Sequence, residues 1–342
     1  MFNTLNRSLH LAPPFLIESY VPRAVKSYQS GLLEQKVAEA NEKYKDCRLC
    51  PRNCGVNRLQ DKKGACNTGR RPVVSSAFPH FGEESVLQGW NGSGTIFFSL
   101  CNLRCVFCQN WDISQRKKGW ELEPLEITDL MLKLQNETHC HNINFVTPEH
   151  VVPSVIEAIY EAVKQGLNIP IVYNTSSYDS MDSLRLLEGI VDIYMPDFKF
   201  WTQETSYRLS KARDYPETAM KAIKEMHRQV GDLVFDSSGL AKQGLLVRHL
   251  VMPNYVDEAA KIMHFLSEEI SKDTYVHIME QYRPDFLVGK GEKRSRIGNT
   301  KYEEIDRPVL DPEIESVVKT AKDVGLWRFE DNLWLDRPID TF

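Results

Sequence analysis

The chain has 342 residues, 42% apolar and 26% charged, and its 42 Lys and Arg against 47 Asp and Glu give a formal net charge of −5. This mix belongs to a globular protein with ample chain for a core, in one large domain or two ordinary ones, and excludes disorder throughout. The mildly acidic balance argues against nucleic-acid binding by bulk electrostatics, and no apolar run approaches the roughly 18–20 residues of a membrane helix.

Residues 1–46 read as helical and amphipathic, especially from Val21 to Tyr44. The first seventeen residues lack acids and contain Arg7, as transit peptides do, but Pro13 and Pro14 interrupt them and no apolar signal region is visible. The expected location is the cytoplasm. A Cys-rich stretch, 47–70, follows with Pro51, Gly55, Gly64 and Gly69 as turn residues. It reads as a small loop module organised by a metal. From about residue 94, short apolar runs alternate with longer amphipathic ones. The expected strands are Thr95–Leu100, Ile143–Val146, Pro170–Tyr173, Val191–Met195, Leu245–Met252 and Tyr275–Met279. They are nearly continuous apolar runs, as in strands buried on both faces. The expected helices between them are Pro153–Gln165, Ser180–Leu187, Pro216–Val230 and Asp257–Ile270, the last capped by Asp257. The segment 290–301 is basic and glycine-containing, a loop. Helix Pro312–Val324 and an aromatic tail with Trp327, Phe329 and Trp334 complete the chain.

Repeated strand–helix units imply an α/β fold with a parallel sheet and right-handed crossovers. Six units fall short of a complete barrel, so a partial (β/α)6 barrel is expected. The expected organisation is an N-terminal helical and Cys-rich extension over 1–70, a core over 71–289, and a loop, helix and tail over 290–342. Polar residues sit at the carboxyl ends of the strands, where parallel α/β folds bind ligands: Cys101, Thr147-Pro148-Glu149, Asn174-Thr175-Ser176, Asp197 with Lys199, Pro253-Asn254 and Glu280-Gln281-Tyr282.

Eight cysteines are too dilute for a disulfide scaffold, and seven of them are clustered. Such clusters point to thiolate ligands in a reducing compartment. Cys101, Cys105 and Cys108 form a C-x3-C-x2-C loop where the first expected strand ends. Three thiolates this close can hold three irons of a [4Fe–4S] cube and leave the fourth iron without a protein ligand. That iron can chelate the amino and carboxylate groups of S-adenosylmethionine. Zinc would need a fourth ligand or a water. The nearest candidates, His139 and His141 beside Cys140, belong to the opposite end of the second strand. Cys140 itself reads as an ordinary buried or loop residue.

With Phe107 as its aromatic, the loop carries the C-x3-C-x-aromatic-C motif and resembles the radical S-adenosylmethionine superfamily. It looks closest to the branch of pyruvate formate-lyase-activating enzymes. The run from Gly92 to Cys101, Cys108-Gln109-Asn110-Trp111, and the run from Tyr194 to Lys199 are similar to that branch, and the likeness covers roughly residues 47–282. By this resemblance Glu149 stands at the element that contacts the methionine amino group, although the glycines of that element are replaced by Thr147 and Pro148. Asp197 and Lys199 match an Asp-x-Lys that holds the cofactor. Arg248 matches an arginine on the fifth strand, and Asn174 stands where the activases carry a carboxylate. Chemically, Lys199 and Arg248 suit a carboxylate, while Asn174 and Glu149 offer acceptors to an amine or ribose.

Cys47, Cys50, Cys54 and Cys66 form a separate, complete four-thiolate set. Four sulfurs close a tetrahedral zinc site or fill a second iron–sulfur cluster, and the looser x3 step favours the cluster. The implied function is reductive cleavage of S-adenosylmethionine to a 5′-deoxyadenosyl radical that abstracts hydrogen from a substrate. The implied partners are an external electron donor such as flavodoxin or ferredoxin and, by the activase resemblance, a protein bearing the target glycine. A small-molecule or peptide substrate is the alternative. A non-catalytic zinc-binding protein is the reading from another class.

Overall fold

The computed structural model describes residues 14–290 and 301–330. The expectations that rest on Arg7, on the basic segment 291–300 and on Trp334 lie outside the described residues. The strands are β1 (Val73–His80), β2 (Ser93–Phe98), β3 (Trp120–Glu121), β4 (Ile143–Val146), β5 (Ile171–Thr175), β6 (Ile193–Pro196), β7 (Val234–Phe235), β8 (Ala241–Leu250), β9 (Tyr275–Met279) and β10 (Arg328–Phe329). They form one sheet in the order β10-β9-β8-β6-β5-β4-β2-β1-β3, with β7 paired to β8. The six expected strands are β2, β4, β5, β6, β8 and β9. They lie side by side in chain order and pair in parallel. This is a partial barrel of the (β/α)6 kind. β10 extends one edge in parallel, and antiparallel β1 and β3 extend the other. Among the described residues β10 and β3 pair with no further strand, so the barrel stays open along one side.

Alternation along the strands divides two cores. In β5, Ile171 and Tyr173 join the large layer between sheet and helices. Val172 between them packs inward with Ile193, Met195, Leu246 and Phe235. Both faces are therefore apolar, which is why the strands read as unbroken hydrophobic runs.

Prolines open four helices, Pro124–Asn136, Val152–Lys164, Tyr215–Val230 and Asp311–Asp323. A missing N–H costs nothing at that position. The first of these was not among the expected elements. Its Ile127, Met131 and Leu134 keep helical spacing and are buried. The expected Asp257–Ile270 helix starts instead at Val256 with Tyr255 as its cap residue, so Asp257 lies in the first turn. There its charge favours the positive helix end. It gives way to one π turn over Leu266–Ile270. β8 begins four residues before its apolar run, because its first part pairs antiparallel with β7. Gly244 makes that approach feasible: at φ +125°, a Cβ there would stand 2.4 Å from Leu233 Cα.

The amino-terminal helices Arg23–Gln29 and Leu32–Glu42 turn at Gly31 and pack against helix Val152–Lys164. The Cys-rich stretch 47–70 contains a single 3-10 turn, Arg58–Gln60, and is otherwise loop. Among the described residues no helix is long and apolar enough to cross a membrane.

Candidate active site

Three of the parallel strands end in residues with positive φ that are not glycine: Leu100 (+69°), Thr147 (+58°) and Ser177 (+64°) follow β2, β4 and β5. Such conformations are uncommon outside glycine and cluster at functional sites. Leu100 turns the chain off β2 into the thiol loop, its N–H held by Ile113 O at 2.8 Å. Arg104 N and Val106 N then bond Ser210 O and Leu209 O, which pins the loop to the end of helix Gln203–Ser210.

Cys101, Cys105 and Cys108 line one cavity of about 170 Å³ at the carboxyl ends of the strands. Asn174, Asp197, Lys199 and Arg248 line the same cavity. All three thiols are free, and Cys101 and Cys105 are buried. Burial pushes the Cys105 thiol up to about 12, and Cys101 also lies well above its usual value. Without a metal such groups are inert thiols. A metal that displaces the proton turns them into ligands. Three convergent thiols therefore fit an iron–sulfur cluster with one iron free, and the charged wall beside them fits an amino-acid ligand.

That wall is a network. Asp197 Oδ2 accepts from Lys199 Nζ at 2.5 Å, and Asp197 Oδ1 accepts from Arg248 Nε at 2.8 Å. Arg248 Nη2 donates to Asn174 Oδ1 at 2.8 Å. Burial alone would raise the Asp197 pKa, but Arg248 and Lys199 outweigh it and hold the carboxyl down to about 2. The two cations expected to be available for a carboxylate are thus already paired with one. Each keeps further N–H donors, and both side chains remain on the cavity wall. Tyr215 OH, which the sequence did not single out, accepts from Lys199 N at 2.9 Å and stands 2.9 Å from Asp197 O.

Two expected contacts stand back from the cavity. Phe107 packs against Phe200 and Tyr282 behind the thiol loop. Glu149 is buried and accepts from Ser176 N, Ser176 Oγ and Thr175 Oγ1 at 2.6, 2.7 and 2.9 Å. It positions the end of β5 from behind, and burial raises its pKa. Among the described residues its Oε2 has no partner. Thr147, where the resemblance expects a glycine, takes a positive φ of +58°. Glu84, also missed, accepts from His277 Nδ1 at 2.8 Å and lies 3.8 Å from Arg248 Nη1. It lies in the loop between β1 and β2, and β1 was not legible.

Cys47, Cys50, Cys54 and Cys66 line a second, small cavity together with Arg58, Gly64 and His150. Ala65 N donates to Cys54 Sγ at 3.2 Å. Gly64 allows this, because a Cβ there would meet Cys54 Sγ at 2.6 Å. Among the described residues no three His, Cys, Asp or Glu side chains form a ready-made site for a single metal ion. Cys140 is buried beside Asn91 at the amino end of β2, and His141 accepts from Asn91 N at 3.1 Å, far along the strand from the thiol loop.

The family model of the radical SAM superfamily matches residues 95–266, half of the chain. Uncharacterized protein MJ0674 of Methanocaldococcus jannaschii is 33% identical over 304 residues, 86% of this chain and 80% of its own length. Uncharacterized protein MJ0808 of the same organism is 25% identical over 270 residues, 71% and 72% of the two chains. Among solved structures, Streptococcus suis SuiB bound to S-adenosylmethionine aligns with TM-score 0.43 at 13% identity, over 66% of this chain and 45% of that one. The chain therefore spans less than half of that neighbour's length. With the family model starting in β2 and running through the thiol loop to the end of helix Val256–Phe265, the chain belongs to the radical SAM superfamily, whose enzymes take a [4Fe–4S] cluster and S-adenosylmethionine.

Proposed function

We propose that the protein is a radical S-adenosylmethionine enzyme of the activating type, which takes a hydrogen atom from a glycine of a partner polypeptide. One observation carries the reading: the three thiols of the loop share a single cavity with Asn174, Asp197, Lys199 and Arg248. Cys101, Cys105 and Cys108 would hold the cluster. Bound together, cluster and S-adenosylmethionine supply one-electron cleavage to methionine and a 5′-deoxyadenosyl radical, which abstracts the hydrogen. Lys199 and Arg248 orient the methionine carboxylate with the donors that Asp197 leaves over, and Asn174 and the β5 end face the amine and ribose. Glu149 and Tyr215 keep these strand ends in place. The burial of Cys101 and Cys105 limits the access of water to the reacting centre.

The glycine target is supported by the activase-like runs around Cys108 and Asp197 and by the barrel edges that pair with no further strand among the described residues, a side through which a chain segment can enter. An external donor such as flavodoxin or ferredoxin would supply the electron, and the four-thiol leader would hold a second metal centre. The test is label transfer. A glycyl-radical enzyme deuterated at glycine is incubated with the reconstituted, reduced protein and S-adenosylmethionine. The expected result is deuterium in 5′-deoxyadenosine and a glycyl radical on the partner. Formation of unlabelled 5′-deoxyadenosine with no radical on the partner would overturn the activase reading.

A further inference from the structure

The two cysteine loops clasp each other. Arg52, within the Cys50–Cys54 turn, donates from Nε to Asn102 O at 2.7 Å. Arg104, within the Cys101–Cys105 turn, donates from Nη2 to Ala65 O at 2.6 Å, one residue before Cys66. Asn102 lies between the two thiol sets: its Oδ1 is 3.8 Å from Cys101 Sγ, and its side chain also hydrogen-bonds Cys50.

Arg58 gives the leader a charge to balance. It is 1% exposed. Its donors go to Gly69 O at 2.8 and 2.6 Å, to His150 O at 2.6 Å and to Cys47 Sγ at 3.9 Å. Among the described residues none of these partners is a carboxylate. A buried guanidinium needs an anion, and four thiolates around a metal centre are one. The surrounding surface is basic too. Residues 43–71 hold nine Lys and Arg (43, 45, 48, 52, 58, 62, 63, 70 and 71) against Asp46 and Asp61. Asp182, Glu42, Glu157 and Glu123 from outside the stretch pair with Lys43, Lys45, Arg70 and Arg71, which leaves a surplus of +3 in a chain of net −5.

Resting on the reading of the leader as a metal site, we propose that Cys47, Cys50, Cys54 and Cys66 hold a redox-active iron–sulfur cluster that takes electrons from an acidic carrier protein and passes them across Asn102 to the centre held by Cys101, Cys105 and Cys108. Each transfer moves one electron. The carrier loses it, the leader cluster gains it, and the leader cluster returns to its oxidised state as the catalytic centre is reduced. An electron carrier must be adjacent to its acceptor, and the clasp of Arg52 and Arg104 sets the two thiol loops side by side. The basic face complements an acidic donor and steers its approach.

The probe is reduced flavodoxin, mixed anaerobically with the reconstituted holoenzyme and followed by cluster bleaching and electron paramagnetic resonance. The wild type is expected to hold about eight irons and no zinc. Its catalytic-cluster signal should relax faster than in Cys54→Ser, which keeps about four irons. Flavodoxin should reduce Cys54→Ser at least tenfold more slowly. Should Cys54→Ser not fold, Lys62→Glu/Lys63→Glu replaces it and should slow reduction severalfold at unchanged iron, with a weaker salt dependence. Zinc in the leader, or equal flavodoxin rates in wild type and variants, overturns the relay. A wild type that is reduced through the leader yet makes no 5′-deoxyadenosine overturns the function proposed above and leaves the relay standing.

Discussion

Arg248 donates from Nε to Asp197 Oδ1 at 2.8 Å, across an isolated bridge that ties the chain beyond β6 to β8. The pair lies where two strand ends meet the thiol cavity, and Lys199 closes on the other carboxylate oxygen. Asp197 thus fixes both cations in direction, which a flexible lysine or arginine alone would not achieve. Arg248 Nη2 is held in turn by Asn174 Oδ1, and both cations line the cavity.

A charge-assisted hydrogen bond contributes about 1.5–3 kcal/mol. Arg248→Ala and Lys199→Ala should therefore each weaken S-adenosylmethionine binding roughly ten- to a hundredfold, with iron content unchanged. Arg248→Lys should recover only part, because one ammonium cannot replace a planar fork. Equilibrium binding to folded, cluster-replete protein measures this. Normal affinity in both Ala variants, with lowered thermal stability, would make the residues a structural ion pair only.

Removal of Arg58 should strike the leader. Arg58→Met leaves Gly69 O and His150 O without their donor, and unmade buried hydrogen bonds cost about 1–3 kcal/mol each. The variant should lose the leader metal while keeping the catalytic iron, and Arg58→Lys should rescue it incompletely. Metal analysis after anaerobic purification decides; a full metal complement in Arg58→Met would contradict the role given to this charge.

Acid should weaken the fold through buried neutral histidines. Burial, chiefly, lowers the His249 pKa to about 4, while its Nδ1 lies 2.7 Å from Phe198 O. Because the folded value is below the unfolded one, the stabilisation is complete above the unfolded pKa of about 6.5 and is lost as pH falls from there toward 4. The loss is about 1 kcal/mol per pH unit in that window. His249→Asn can keep a donor to Phe198 O and removes the titration. Urea unfolding at pH 7.5 and 5.5 should show a smaller gap in the variant by about 1 kcal/mol. An equal gap would mean that His249 does not titrate against the fold.

The parallel core was legible because strands buried on both faces leave unbroken apolar runs, and β4 and β9 match their expected bounds residue for residue. β1 was not. Its Ser75, Ser76 and Pro79 break the apolar pattern, and its place comes from antiparallel pairing with β2. The two-residue strands β3, β7 and β10 carry no periodicity at all. Helix Pro124–Asn136, absent from the expected elements, keeps helical spacing at Ile127, Met131 and Leu134, and Glu123 stands at its start, where its carboxylate and that of Glu126 complete a capping box. In the site, the thiol loop, Asp197 and Lys199 follow from spacing and strand ends, and Arg248 from the resemblance to the activases. The pairing among them does not, since it depends on how neighbouring strands stagger. The clasp of Arg52 and Arg104 was invisible for the same reason, because it joins loops fifty residues apart in the chain.

The most direct measurement is the fate of S-adenosylmethionine on the reconstituted, dithionite-reduced protein, compared with the variant in which Cys101, Cys105 and Cys108 are all alanine. The wild type should form 5′-deoxyadenosine and methionine. The triple variant should form neither, while the leader keeps its own metal. Formation of 5′-deoxyadenosine by the triple variant, or none by a wild type replete in iron, would contradict the assignment of this cavity as the site where the cofactor is cleaved.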